Sequence, residues 1–226
     1  YIEVNISSTT SSEVRLIKSD SPDMSPQIFL PREEDHLYSV DHDPSSSRFL
    51  IESNWKALNF RLLETNLNDS SDKNKWKELI PHREQVLLQS VIPFPDHLII
   101  MERENGLRKL KILHKESKAV KEINFNDPTY TAYLAANPEY YVDRFYFGYS
   151  SMRTPDSLFS VMLSSGRKRL IKEAEVKGSF SSGDYKVDRE FITARDGTQV
   201  PVSIVYKKNK FIKNVNPIFL YGYGSY

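Results

Sequence analysis

A short apolar segment recurs along this chain at a nearly constant interval, and this repeat limits the fold more than any other feature. Four copies begin at residues 1, 48, 97 and 144, so that their starts differ by 47, 49 and 47 residues. Each copy is rich in β-branched or aromatic side chains, which is typical of a β-strand. The chain is therefore predicted to be built from four similar β-units.

Each unit contains further strands in the same order. A second predicted strand carries a leucine in every unit, and a third predicted strand closes the unit, at 27–30, 76–80, 120–123 and 168–171. An inner strand precedes three units, at 37–40, 86–89 and 130–133. The recurring leucines lie 46, 48 and 48 residues apart: Leu16, Leu62, Leu110 and Leu158. Four strands in roughly 40 to 50 residues are typical of a β-propeller blade, whereas an antiparallel sandwich would share this spacing only by coincidence.

The first unit lacks the inner strand, and three and a half blades do not close a ring. Propellers protect their strand edges by radial repetition, so that a partial ring leaves edges open to other chains. We therefore expect more propeller before residue 1, and we expect the isolated segment to aggregate.

The pattern changes after residue 177. Residues 178–186 are small and polar at first, and they are predicted to connect a propeller part (1–177) to a second part (187–226), although a long loop inside the last blade is the alternative. Asp196-Gly197 separates two alternating runs, which is a strong hairpin pattern, and Pro201 requires a strand edge or a bulge. A buried apolar strand at 217–220 is predicted to follow.

Composition excludes several classes of function. The formal net charge of +1 gives no reason to expect nucleic acid or an acidic membrane as a partner, and no apolar run reaches the roughly 18 residues of a membrane span. The absence of cysteine excludes thiolate metal sites and fits a reducing compartment, so that a cytoplasmic location is expected. The five histidines show no ligand spacing, and we predict neither metal nor cofactor. The charged runs 41–43 and 102–104 are predicted to be solvent-exposed.

Several motifs resemble the prolyl oligopeptidase family of serine peptidases, in order along almost the whole chain. The similarity to the start of the catalytic domain lies at 194–197, 200–206 and 216–226, and the final Tyr-Gly-Tyr-Gly-Ser-Tyr is similar to the oligopeptidase B branch. The prolyl-specific branch usually has Gly-Gly-Phe there. The upstream motifs include Phe29-Leu-Pro-Arg32, Phe125-Asn-Asp-Pro128 and Gly148-Tyr-Ser-Ser-Met-Arg-Thr-Pro-Asp156.

This resemblance implies a mainly β chain: the later part of a seven-bladed propeller, followed by the first strands of an α/β-hydrolase domain. It also implies that the Ser-Asp-His triad lies downstream, and no Gly-x-Ser-x-Gly occurs in these 226 residues. The segment itself should be inactive. The complete protein is expected to hydrolyse short peptides after Lys or Arg through an acyl-enzyme, with the propeller excluding folded proteins.

The resemblance places one catalytic group in this chain. The second tyrosine of the Tyr-Gly-Tyr motif is Tyr223, and its hydroxyl is expected to donate to the oxyanion, which a fixed donor stabilises by about 3 to 4 kcal/mol. Tyr226 matches a position near the specificity pocket. The alternative for Tyr223 is that it merely packs. The alternatives for the whole protein are a non-catalytic propeller scaffold, a family member without its triad, or a prolyl-specific peptidase.

Overall fold

Four antiparallel sheets follow one another along the chain in the computed structural model, which describes residues 1–222. The first sheet has three strands and the others have four, and strands adjacent in sequence are adjacent in each sheet. The strands are β1 (Ile2–Ser7), β2 (Ser12–Ile17), β3 (Gln27–Leu30); β4 (Tyr38–Asp43), β5 (Arg48–Ser53), β6 (Arg61–Thr65), β7 (Lys77–Ile80); β8 (Val86–Pro93), β9 (His97–Glu104), β10 (Leu107–His114), β11 (Val120–Glu122); and β12 (Tyr130–Leu134), β13 (Arg144–Ser151), β14 (Ser157–Met162), β15 (Lys168–Glu173).

The predicted repeat is confirmed, because each sequence unit forms one sheet with the meander order of a propeller blade. Three of the four recurring leucines, Leu16, Leu62 and Leu110, are buried on the second predicted strand of their units, and Leu158 is half-buried on β14. The mainly β fold is thus the one expected from the sequence. Helical structure among the described residues is confined to four short 3-10 turns: Leu67–Asp69, Lys73–Lys75, Ser182–Asp184 and Lys208–Lys210.

The core lies between the faces of successive sheets. On β5, Phe49 and Ile51 point into a cluster shared by sheets 1 and 2, whereas Leu50 points to the opposite side, into a cluster shared by sheets 2 and 3. This alternation follows from the two-residue period of a strand. A third cluster lies between sheets 3 and 4 and includes the fully buried Phe145 and Phe147. Burying each such side chain stabilises the fold by about 1.5 to 3 kcal/mol.

A separate hairpin follows the four sheets. Its strands are β16 (Tyr185–Thr193) and β17 (Gln199–Lys207), in a regular antiparallel register. The Asp-Gly turn closes it as predicted: Gly197 adopts a φ of +87°, and the amide of Ala194 donates to the carbonyl of Thr198 at 2.8 Å. Pro201 lies in an edge strand, since the hairpin has only two strands. β16 begins at Tyr185, inside the predicted connection 178–186.

The strand directions define two ends of the four-sheet unit. We call the end that carries the β9–β10 turn the hairpin end, because Arg189 of β16 donates to the carbonyl of Asn105 there. Thr129 and Ser203 also share a hydrogen bond of 2.8 Å between their hydroxyl oxygens at this end. The opposite end, which carries the β4–β5 turn and the β12–β13 loop, is the far end.

The predicted buried strand at 217–220 is wrong. These residues form no strand, and Ile218, Phe219 and Leu220 are 89%, 90% and 83% exposed. A strand requires a neighbour for its backbone groups, and none of residues 1–222 supplies one for this segment. Its apolar side chains consequently lie in solvent.

Candidate functional site

The two tyrosines assigned to catalysis and substrate binding, Tyr223 and Tyr226, lie outside the described residues. The described residues that lead to them, Tyr221 and Gly222, are exposed. The described part of the chain therefore contributes a different set of functional candidates, which are a cleft between sheets 2 and 3 and the buried charges around it.

The cleft has a volume of about 690 Å³. Apolar side chains of the two facing sheets, including Leu50, Leu98 and Ile100, share its lining with charged side chains such as Lys77 and Glu78. Buried carboxylates lie at its two ends: Asp43 at the far end, and Glu102 toward the hairpin end. Binding clefts usually combine apolar walls with a few fixed polar groups, and this cleft carries more charged side chains than that.

Asp43 ends β4 and is the centre of a polar network, so that the expectation of solvent-exposed charges at 41–43 is wrong. Its side chain is only 4% exposed. Lys115 binds one carboxylate oxygen at 2.6 Å, and the Tyr140 hydroxyl donates to the other at 2.5 Å. Ser45 and Ser46 donate at 3.0 and 2.9 Å. Burial by itself raises the pKa of Asp43, but the hydrogen bonds from Lys115, Tyr140 and Ser46 lower it below its ordinary value.

Glu102 of β9 is also buried, contrary to the expectation that residues 102–104 are exposed surface charges. Its side chain is 3% exposed, and it forms ion pairs with Arg83 and with Lys111, the latter at 2.6 Å. Burial raises the pKa of Glu102, while the hydrogen bonds from these two cations lower it, with a net decrease. The carboxylate therefore stays ionised, with one cation from the connection before β8 and one from β10.

A second pair of acidic groups lies on the inner strands of sheet 2. Asp41 and Glu52 point to the side of this sheet that faces β8, and the amide of Val91 in β8 donates to the Glu52 carboxylate. Burial, followed by the negative charges of Glu52 and Glu3, raises the pKa of Asp41 to about 7. Burial also raises the pKa of Glu52. The pKa of Asp41 consequently lies near neutrality, and that of its neighbour Glu52 lies above its ordinary value.

A buried serine and histidine resemble part of a hydrolytic triad. The Nε2 atom of His36 lies 2.8 Å from the Ser53 hydroxyl, and its Nδ1 atom lies 3.7 Å from Glu33, too far for a hydrogen bond. Ser53 is fully buried and also accepts from the amide of Trp55 at 3.0 Å, so that a substrate cannot reach it. Burial, and then the charge of Lys73, lowers the pKa of His36. The pair is structural.

The family-like motif at 125–128 contributes Asp127, a nearly buried carboxylate that organises the β13–β14 turn. It accepts from the Tyr149, Ser151 and Thr154 hydroxyls at 3.0, 2.7 and 3.1 Å, and Arg153 binds it at 2.6 Å. All four donors belong to the second motif, at 148–156. The two motifs are therefore one structural unit within sheet 4.

Neither a metal site nor a membrane span is found in the described part of the chain. Among residues 1–222, no three His, Asp or Glu side chains gather as metal ligands would. No helix within the same range has the length and apolar character required to cross a bilayer.

Known proteins resemble this chain both over its propeller part and over its whole length. Residues 1–174 match the family model described as "Prolyl oligopeptidase, N-terminal beta-propeller domain". Protease 2 of Moraxella lacunata is 34% identical over 226 residues, which is all of this chain and 32% of that protein. Dipeptidyl aminopeptidase BI of Pseudoxanthomonas mexicana is 31% identical over 228 residues, covering all of this chain and 31% of that protein.

Solved structures agree with these sequence matches. Oligopeptidase B from Trypanosoma brucei with covalently bound antipain, in a closed form, superimposes with a TM-score of 0.85 and 28% identity, over 99% of this chain and 32% of that one. Oligopeptidase B from Leishmania major gives a TM-score of 0.82 and 28% identity, over 93% of this chain and 31% of that one. The chain thus spans about a third of the length of these relatives. The match over 1–174 covers most of the chain, and the chain belongs to the prolyl oligopeptidase family.

Proposed function

We propose that the complete protein containing this chain is a serine peptidase that hydrolyses short peptides on the carboxyl side of Lys or Arg. The observation that supports this most strongly is the continuous similarity of all 226 residues to Protease 2, together with the similarity to an oligopeptidase B that holds antipain covalently. A covalently held inhibitor in that relative fits an acyl-enzyme route, in which a nucleophile attacks the scissile carbonyl.

In this proposal the chain supplies the substrate-excluding part and the entrance to the catalytic domain. Residues 1–177 are blades of a seven-bladed propeller, 178–186 are the connection, and 187–226 begin an α/β-hydrolase domain. We place the triad in the region where the relatives extend beyond this chain, and residues 1–226 alone should then have no peptidase activity. A cytoplasmic location, suggested by the absence of cysteine, belongs to the same proposal.

Tyr223 is proposed as the side-chain donor of the oxyanion hole, and Tyr226 as a residue close to the specificity pocket. A hydroxyl aimed at the oxygen that becomes negative stabilises the transition state more than the substrate, and therefore raises kcat. The glycines on either side, Gly222 and Gly224, allow the backbone to turn sharply at the tyrosine.

The test of the activity uses the full-length protein and two blocked fluorogenic peptides, one ending in Arg and one in Pro. Cleavage after Arg alone is expected. Cleavage after Pro would assign the protein to the prolyl-specific branch. Cleavage of neither by the folded protein would contradict the proposal, and a scaffold or a member without its triad would be favoured only if a substrate with a free amino terminus also stays intact. A dipeptide substrate with a free amino terminus tests the second candidate, an aminopeptidase, suggested by the 31% identical relative.

The test of the oxyanion role is Tyr223→Phe in the full-length protein. We expect turnover to fall about 10²-fold, while the nucleophilic serine still reacts with an active-site-directed fluorophosphonate. Tyr141→Phe is the matched control, because its exposed ring lies in the β12–β13 loop at the far end, outside the motif, and it should leave turnover unchanged. Equal turnover in wild type and Tyr223→Phe would refute the oxyanion assignment without affecting the peptidase proposal.

A further inference from the structure

The loop between β12 and β13, residues 135–143, extends from sheet 4 to sheet 2 across the far end of sheet 3. We call this segment the strap. Its Tyr140 hydroxyl donates to Asp43 of sheet 2, and the amide of Ser45 donates back to the Tyr140 oxygen at 3.2 Å. Lys115 of sheet 3 lies over the Tyr140 ring, with 5.8 Å between its Nζ atom and the ring centroid. One loop thus joins three successive sheets.

The junction depends on one carboxylate. Asp43 accepts from Lys115, 72 residues away in sequence, and from Tyr140, 97 residues away. The Ser45 hydroxyl oxygen also lies 3.2 Å from the carbonyl oxygen of Pro95, next to sheet 3, which is an alternative acceptor for its single proton. Because Asp43 is buried, losing any one donor leaves a charged acceptor short of a partner in a place that water reaches poorly. The contacts therefore support one another.

The root of the strap is itself fixed. The side-chain amide of Asn137 donates to the carbonyls of Ala135 and Tyr146 at 2.7 and 3.0 Å, and its oxygen accepts from the amide of Tyr146 at 2.7 Å. These bonds hold the strap to its own sheet independently of Asp43. The strap is thus fastened at both ends, to sheet 4 by Asn137 and to sheet 2 by Tyr140.

We propose that the strap is a conformational device that makes the far ends of sheets 2, 3 and 4 open and close as one body, with the Tyr140–Asp43–Lys115 contact as its releasable fastening. Two members of this contact, Asp43 and Lys115, also line the far end of the cleft between sheets 2 and 3, so that releasing the fastening changes the lining of the cleft there. The device does not depend on the proposed peptidase activity.

Hydrogen exchange of the full-length protein, measured by mass spectrometry, tests this proposal. Tyr140→Phe removes a single hydroxyl, and we expect exchange to rise roughly tenfold in far-end segments of all three sheets, in line with the loss of a hydrogen bond to a charged group. Tyr141→Phe is the matched control, because its neighbouring ring is 79% exposed, and it should change none of them. The segments to compare are 44–47, 94–96, 114–119 and 135–143.

A rise confined to 135–143, or no rise at all, would overturn the proposal, because the strap would then move independently of the other two sheets. A second comparison uses Lys115→Met and the double variant with Tyr140→Phe. If the two side chains form one shared fastening, the exchange rate of the double variant should exceed that of the faster single variant only slightly. An exchange rate raised by the product of the two single effects would mean two independent contacts and would contradict the proposal. Peptidase activity is not the measured quantity, so that failure here leaves the proposed function untouched.

Discussion

Asp41 offers a direct test of the electrostatics in sheet 2. Its pKa of about 7, against an ordinary value of 3.8, means that the folded protein resists the charged form. At about 1.4 kcal/mol for each pH unit, this difference corresponds to at most about 4 kcal/mol of destabilisation by the ionised group. Because the side chain is only half-buried, solvent screening reduces the value, and we expect about 2 kcal/mol. Asp41→Asn should recover this energy.

The direction of the pH dependence follows from proton binding. Between about pH 4 and pH 7 the folded protein keeps a proton on Asp41 that the unfolded chain has lost, so that stability decreases as the pH rises through this range. Below about pH 4 both states are protonated and no penalty exists, while above about pH 7 both are ionised and the penalty is complete. The advantage of Asp41→Asn over wild type should therefore grow from pH 5 to pH 8.

Hydrogen exchange of the β4 and β5 peptides in the full-length protein measures this advantage locally. Wild type and Asp41→Asn are compared at the same pH, so that the chemical exchange rate cancels. At pH 8 we expect the variant to exchange about thirtyfold more slowly, and at pH 5 the difference should be clearly smaller. Asp23→Asn, on the exposed loop after β2, is the control. A difference that stays constant with pH would refute the reasoning, since it would reflect packing and not ionisation.

Two further substitutions test the packing of sheets 3 and 4. Glu102→Gln leaves Arg83 and Lys111 without their buried counter-charge. Because both cations are partly exposed, we expect the free energy of unfolding by urea to fall by about 2 to 3 kcal/mol, which is less than for a fully buried pair. An unchanged free energy of unfolding would show that the ion pairs are dispensable. Gly148→Ala places a methyl group where the Tyr133 ring lies, so that the ring must swing away, and we expect about 1 to 2 kcal/mol of destabilisation in the same assay. Adding Tyr133→Ala should relieve the clash, and an equal penalty in the double variant would contradict it.

The sheets could be predicted from the sequence because the information is local and repeated. Each blade carries its own apolar segments and turn residues, and four copies at a constant interval reinforce one another. The predicted inner strand at 37–40 became β4 (Tyr38–Asp43), and the predicted third strand at 120–123 became β11 (Val120–Glu122). The Asp-Gly hairpin was equally local, and its turn lies where the sequence places it.

The buried charges could not be predicted, since their partners are distant in sequence. Asp43 and Glu102 lie in short charged runs, and such runs are usually solvent-exposed. Burial of Asp43 depends on Lys115 and Tyr140, which belong to other sheets, and nothing near residue 43 announces them. The sequence did indicate the burial of Glu102 through its position in the strand. Glu102 follows the apolar segment that begins at His97, and the two-residue period of a strand places it on the same face as the buried Leu98 and Ile100.

The apolar run at 217–220 shows the opposite limit of sequence patterns. Its residues form the continuous apolar run that is typical of a buried strand, yet they are exposed and unpaired among residues 1–222. Strand propensity mainly reflects how well a side chain packs on neighbouring strands. A strong apolar pattern therefore identifies a segment that requires partner strands, but it does not show that such strands are present. Three consecutive large apolar side chains in solvent are costly for any folded protein. The same segment leads directly to Tyr223, and a donor that must be fixed within a fraction of an ångström requires a paired strand before it. The proposed oxyanion role of Tyr223 therefore requires residues 217–220 to pair with strands outside residues 1–222.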